Sequence, residues 1–263
     1  MWQERMRVAQ SAARQAAAAI ADRDAIAVEH KAENDFVTQM DRLSERIIMQ
    51  RLTDAFPEDG FFGEEGGMRD QRQHEGCWII DPIDGTTNYI QGIPTYTISI
   101  GYQYRGELTL GVVYCPGLDE MYTAVKGEGA YCNGEPIHVS RQTRMRESIS
   151  SFSFAHRDPA LREAMFTLLP ALVASVSDLR RMGSAALDVC FVACGRFEAF
   201  LELALHLYDF AAARVILEEA GGRMTGWPGE GDCNQTGNVL CTNGILHEDF
   251  ERVIREHFVA PET

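Results

Sequence analysis

Residues 78–92, WIIDPIDGTTNYIQG, constrain the fold more than any other stretch. Three apolar residues enter like the last steps of a buried strand, and the chain then meets Asp81 and Asp84 on either side of Pro82 and Ile83. Pro82 fixes the backbone and Asp84-Gly85 permits a sharp turn, so both carboxylates can face one point. The Ile83 carbonyl lies between them as a further oxygen. Hard divalent cations such as Mg²⁺ take oxygen ligands of this kind, completed by water and phosphate. Gly85-Thr86-Thr87 then opens a helix whose bare N–H groups suit a phosphate oxygen. A plainer reading is also open, an Asx-type turn in which Asp84 caps that helix. On either reading a strand leaves the core and ends here in charge.

The rest of the chain divides in texture. Residues 2–22 and 40–55 carry apolar positions at helical spacing. KAENDFVTQMD between them reads as polar loop until Phe36-Val37, and FPEDGFFGEEGGMRDQRQHEGC as an exposed, Gly-rich loop. From Cys77, short β-prone runs separated by Gly, Pro or Asn predict an antiparallel meander. Beyond about residue 145, SISSFSF, ASVSDL and FEAFLEL read as strands. PALREAMFTLLPALV, SAALDVCFVACGR, YDFAAARVILEEAGG and HEDFERVIREHF read as helices, with Gly221-Gly222 closing the third. This predicts an α+β first half, residues 1–145, and a more α/β second half, residues 146–263, sharing one interface. Glu64 falls on the Gly-rich loop, where a solvated charge is the plain reading. Asp209 opens a helix, where it serves equally as an N-cap.

Composition narrows the partners. A net charge of −15 argues against broad nucleic-acid binding. Seven scattered cysteines without a Cys-x2-Cys pair argue for reduced thiols and a cytoplasmic protein. Cys190 and Cys194 share a helix face, and core packing accounts for them. The Ala-rich start reads as an amphipathic helix, not a signal peptide, and no run is long and apolar enough to span a membrane.

DPIDGTTNY, with GEE upstream and YDFAAARVILEEAGG downstream, resembles the inositol monophosphatase family of Mg²⁺-dependent, lithium-sensitive phosphatases. DFVTQMD, GVVYCPGLDEMYTAVKGEGAYCNGEPIHVS and RRMGSAALDVCFVACGRFEAFLEL extend the resemblance over roughly residues 5–258. It implies a layered αβαβα sandwich of the inositol monophosphatase and fructose-1,6-bisphosphatase type, and a homodimer. It also implies two or three Mg²⁺ per site. Glu64, Asp81 and the Ile83 carbonyl match one metal site; Asp81, Asp84 and Asp209 match a second; Glu64 would hold a third ion through water. Asp41 matches a carboxylate that hydrogen-bonds the equivalent of Thr86 to orient the attacking water. Lys31 is matched to a lysine near the site across a segment one residue short. The reaction expected is direct in-line attack by water held by Glu64 and Thr86, without a phosphoenzyme.

By the same resemblance the substrate is a small phosphate ester, foremost an inositol phosphate. It is contacted by Asp84, Gly85 and Thr86, by Gly183, Ser184 and Ala185, and by Glu202 and Asp209, with Glu202 accepting from ring hydroxyls. Tyr208 stands where Trp is usual, Ala213 where Gly is common and Tyr89 where Phe is frequent. Tyr208 and Ala213 are expected beside the second metal and the pocket. Adenosine 3′,5′-bisphosphate, histidinol phosphate and fructose 1,6-bisphosphate are the alternative substrates. A further alternative is an accessory role in transcription, as in some bacterial relatives. Residues 140–148 and Arg180-Arg181 are the basic surfaces for that role, and the second is equally expected at a dimer interface or pocket edge.

Overall fold

The computed structural model describes residues 2–22, 28–32, 35–69, 74–155, 158–227 and 232–260. Helix α1 (Trp2–Ala19) buries Val8, Ala9, Ala12, Ala13, Ala16 and Ala17, one face at helical spacing. Strands β1 (Val28–Ala32) and β2 (Asp35–Thr38) pair antiparallel, where polar composition reads as loop. Such a hairpin is held by backbone pairing, which composition does not report. Helix α2 (Gln39–Ala55) packs beside α1.

The first sheet contains β3 (Gly60–Gly63), β4 (Gly67–Arg69), β5 (Gly76–Asp84), β6 (Thr97–Tyr104), β7 (Glu107–Cys115), β8 (Glu120–Val125), β9 (Ala130–Cys132) and β10 (Glu135–Pro136). Its order is β10-β9-β8-β7-β6-β5-β3-β4. The predicted meander is its β5–β10 part. The Gly-rich segment expected to be all loop supplies β3, parallel to β5, and β4. A four-residue strand flanked by glycines and paired with a later strand leaves almost no local signal.

After the short helix α3 (Thr86–Gln91), the second sheet is formed by β11 (Ile149–Phe152), β12 (Asp178–Arg180), β13 (Ala199–Glu202), β14 (Arg223–Thr225) and β15 (Val239–Thr242), in the order β12-β11-β13-β15-β14. β11 runs parallel to β12 and β13, while β15 is antiparallel to its neighbours. The helices are α4 (Pro159–Ser175), α5 (Ala185–Ala193), α6 (Leu207–Glu219), α7 (Cys233–Thr236) and α8 (His247–His257). The strand expected at 174–179 is shorter and later, because α4 continues to Ser175 with Leu168 and Leu172 buried. β14 and β15 were not foreseen.

Strand alternation separates the layers. Ile98, Ile100, Leu110 and Val112 face α1 and α2, whereas Val113, Tyr122 and Ala124 face α5 and α6. On the second sheet Phe200 and Cys241 face α5 and α6, whereas Leu201 and Leu240 face α4 and α8. The stack is therefore αβαβα, as the resemblance implied. The middle helices lie very close to the first sheet: a Cβ on Gly111 would fall 2.1 Å from the Ala212 carbonyl oxygen. Gly111 thus admits the backbone of α6, and Ala213, fully buried there, belongs to this packing.

Candidate active site

β5 is buried along its whole length and delivers Asp81 and Asp84, 2% and 9% exposed, into a cleft of about 430 Å³. Glu64 in the turn after β3, Thr86 at the start of α3 and Asp209 in the first turn of α6 line the same cleft. Distant stretches of chain thus converge on the point that the Asp-Pro-Ile-Asp turn marks.

Backbone and hydroxyl donors fix Asp81, Asp84 and Asp209. Asp81 Oδ1 accepts from Ile83 N at 3.1 Å. Asp84 accepts from Ser184 Oγ at 2.6 Å, Ala186 N at 2.7 Å and Ala185 N at 3.2 Å, so it sits on the positive end of α5. The Ser184 hydroxyl and the Ala185 amide are turned to Asp84. Asp209 is the third residue of its helix and not the N-cap; its Oδ2 accepts from His206 N at 2.6 Å. Thr86 Oγ1 lies 3.2 Å from Asp41 Oδ1 and 3.0 Å from the Ile83 carbonyl. With one proton it donates to one of them at a time, and Asp41 is 1% exposed.

The turn demands glycine at two facing places. Gly85 has φ 92° and Gly183 φ 85°. A Cβ on Gly85 would meet the Gly183 carbonyl at 2.8 Å, and one on Gly183 would meet Asn88 Nδ2 at 2.8 Å. Asn88 Nδ2 also reaches the Thr95 and Met182 carbonyls at 2.6 and 2.7 Å, closing the two loops on each other.

The carboxylates resist ionisation. Burial pushes Asp81 well above the usual carboxylate range, and the charges of Glu64, Asp84, Asp209 and Asp41 push it further. Burial raises Asp84 to about 6, against the hydrogen bonds from Ser184, Ala186 and Ala185. Among the described residues no three His, Cys, Asp or Glu form a preassembled group that could hold a metal ion. The donor set is nevertheless all oxygen, buried and mutually repulsive, which fits hard cations completed by water and phosphate. Glu64, Asp81, the Ile83 carbonyl, Asp84 and Asp209 are the residues able to hold them.

The far wall is formed where β11 and β13 end, with Ser153, Asp158, Asp188, Glu202 and Arg181 on the cleft. Ala155 and Ala204 border it at φ 49° and 58°, conformations that non-glycine residues seldom adopt and that concentrate at functional sites. Neither Tyr208 nor Ala213 lines the cleft. Tyr208 stacks on His206 with ring centres 5.0 Å apart, and Tyr89 uses its hydroxyl to bond the Ile20 carbonyl at 2.7 Å. The Lys31 side chain lies outside the described residues.

Two acidic residues were not foreseen. Glu45 accepts from Glu65 N at 3.0 Å and is wedged so closely that a Cβ on Gly63 would overlap its Oε1, so it holds the turn that presents Glu64. Its signal was legible: Asp41, Ser44 and Glu45 continue the buried stripe of Ile48 and Leu52 along α2. Asp188 is the second; it interrupts an otherwise apolar α5.

An αβαβα sandwich with an acidic, oxygen-lined cleft at the end of a central strand defines a narrow class. A model described as the inositol monophosphatase family matches residues 1–258, and the chain belongs to that family. The Nus factor SuhB of Haemophilus influenzae is 36% identical over 254 residues, 95% of each chain. The inositol-1-monophosphatase of Rhizobium meliloti is 36% identical over 86% of this chain and 85% of its own. The crystal structure of the suhB protein from Bartonella henselae matches with a TM-score of 0.91 at 34% identity, covering 95% of this chain and 98% of the other.

Proposed function

We propose that this chain is a Mg²⁺-dependent phosphate-monoester hydrolase whose main substrate is inositol 1-phosphate. The observation that carries the reading is the pair of buried, repelling carboxylates Asp81 and Asp84 in one cleft with Glu64, Asp209 and the Ile83 carbonyl. Glu64, Asp81 and the Ile83 carbonyl would hold one Mg²⁺, and Asp81, Asp84 and Asp209 a second, with Glu64 holding a third through water. Bound there, Mg²⁺ supplies positive charge to the phosphate and leaving oxygen and makes water a better nucleophile.

The chain's own groups do the positioning. Thr86 donates its hydroxyl hydrogen to Asp41 or to the Ile83 carbonyl, which leaves the Thr86 lone pairs to accept from the attacking water. Glu64, on the turn braced by Glu45, aligns and deprotonates that water. Asp84, fixed by α5, keeps its place as charge develops. No covalent intermediate is required: among the described lining residues there is no Cys or His, Ser184 Oγ is committed to Asp84, and Ser153 lies on the far wall. Glu202 accepts from a ring hydroxyl of the leaving alcohol.

Phosphate release tests this on inositol 1-phosphate, 3′-phosphoadenosine 5′-phosphate, histidinol phosphate, fructose 1,6-bisphosphate and glycerol 2-phosphate, with Mg²⁺ and then with Li⁺ added. Highest kcat/KM on inositol 1-phosphate, suppressed by Li⁺, supports the reading. Preference for another ester keeps the hydrolase and replaces the substrate. No release from any member favours the second reading, an accessory binding protein, which the relatives named Nus factor SuhB support. Against it, Arg144 pairs with Glu147 and Arg180 with Asp178, so part of the candidate basic surface is internally neutralised. A cytoplasmic homodimer belongs to the same proposal, and sedimentation tests the stoichiometry.

A further inference from the structure

We propose that Asp188 is a specificity-determining residue that reads a hydroxyl group of the leaving alcohol, beside the position served by Glu202. The inference rests on the phosphatase reading above and extends it to a residue outside the metal-binding set.

Every residue of α5 from Ala185 to Ala193 is buried, and Asp188 alone among them carries a carboxyl group. A carboxyl there costs stability unless it is hydrogen-bonded. Asp188 is 2% exposed, and its Oδ1 has no hydrogen-bond partner, yet the residue borders the cleft. Buried polar atoms are nearly always satisfied, so an oxygen left open beside the cleft can take a group that enters it.

The sheet beneath explains the position. Ser151 and Phe200 are paired across the parallel strands β11 and β13, and Phe200 faces α5 and α6. Ser153 and Glu202, each two residues further along, lie on that same face, and both line the cleft. Asp188 therefore descends from α5 onto the carboxyl ends of two parallel strands, the region where open α/β sheets bind ligands. The Ser151 hydroxyl is near enough to stabilise the Asp188 carboxylate, but neither Ser151 Oγ nor Asp188 Oδ1 makes a hydrogen bond of good geometry.

The chemistry selects the ligand group. Facing Asp188 are Glu202 from β13, Asp84 from β5, Ser151 from β11, Cys241 from β15 and Arg181 ahead of α5. Burial holds the Asp188 carboxyl well above the usual range; Glu202 and Asp84 push the same way, while Ser151 and Arg181 oppose. A carboxyl in either protonation state accepts from a hydroxyl, and a protonated one also donates. A phosphate oxygen only accepts, and an aryl ring offers neither function.

The test compares inositol 1-phosphate with p-nitrophenyl phosphate, whose leaving group carries no further hydroxyl in the ground state. Asp188→Leu should lower kcat/KM for inositol 1-phosphate about tenfold or more, mainly through KM, and leave p-nitrophenyl phosphate within about twofold. Asp188→Asn, which still donates and accepts, should retain most of the discrimination. The ratio of the two esters is read within one preparation, so partial loss of folded protein cancels. Should the Leu variant not fold, Asp188→Ala gives the same comparison. Equal loss on both esters would mean a structural role and overturn the inference, as would an unchanged ratio. Release from neither ester by the unsubstituted protein would overturn the phosphatase reading and this inference with it.

Discussion

The two ends of β5 handle buried carboxylates in opposite ways. Near its start, Asp59 accepts from Arg5 at 3.0 and 3.2 Å, from Trp78 Nε1 at 3.1 Å and from Tyr102 Oη at 2.9 Å. Charge and lone pairs are met by the protein itself, and the Arg5 guanidinium also lies 4.4 Å over the Phe56 ring. At its end, Asp81 and Asp84 meet backbone donors and further carboxylates, and the charges acting most strongly on Asp81 are all negative. The first arrangement satisfies both oxygens of the carboxylate with protein donors and ties the fold together. The second remains short of positive charge, which is what a site for cations and a phosphate ester requires.

The sharpest test of that contrast is Asp84→Asn, which should lower phosphate release about 100- to 1,000-fold. Its thermal midpoint should move by less than about 4 °C. Full activity in this variant would break the assignment of the cleft. At the other end, Asp59→Ala should cost about 3 kcal/mol, because the buried Trp78 and Tyr102 donors and the half-buried Arg5 lose their acceptor together. Its kcat per folded molecule should be unchanged; a chemical-denaturation curve beside an active-site titration reads both.

Mg²⁺ at 100 times its dissociation constant should stabilise the chain by about 2.7 kcal/mol. Calorimetry should find that gain absent in Asp81→Asn, whose metal-free form should be more stable than the parent because a buried repulsive charge is gone. An equal Mg²⁺ response in both would break the comparison.

The smallest effect is set by pH. His247 is fully buried between Thr225 and Thr242, and burial lowers its pKa from 6.5 to about 4. The unfolded chain binds that proton more readily, so stability falls as pH drops from 6.5 towards 4, by about 1 kcal/mol at pH 5.5. Asp84 acts with the other sign: its raised pKa makes metal-free protein more stable as pH falls through about 6. His247→Gln should therefore remove the acid loss and leave the cleft's acid gain visible in thermal midpoints at pH 7.5 and 5.5.

The helices and the meander were legible because periodicity is local. Val8, Ala12 and Ala16 announce α1, and alternation along β6 to β8 announces strands. β3, β14 and β15 were missed because each is three or four residues long and owes its existence to pairing with a neighbour. Asp209 shows the limit at the site: its helix was foreseen, but it sits at the third helical position and closes a capping box on His206 N, where the sequence offered it as the N-cap. The Ser184 and Ala185 donors illustrate the same point, since only the structure shows them turned towards Asp84.

By itself the sequence determined where core strands end in charge, which acidic side chains gather at one cleft and which family's layered fold encloses them. Those properties reside in residue type and near-neighbour spacing. The tertiary structure alone decided that Asp84 is anchored by the start of α5, that Glu45 braces the Glu64 turn and that Asp188 reaches the cleft with an unsatisfied oxygen. Such facts depend on groups tens of residues apart meeting in a low-dielectric interior, where one missing partner outweighs any local preference.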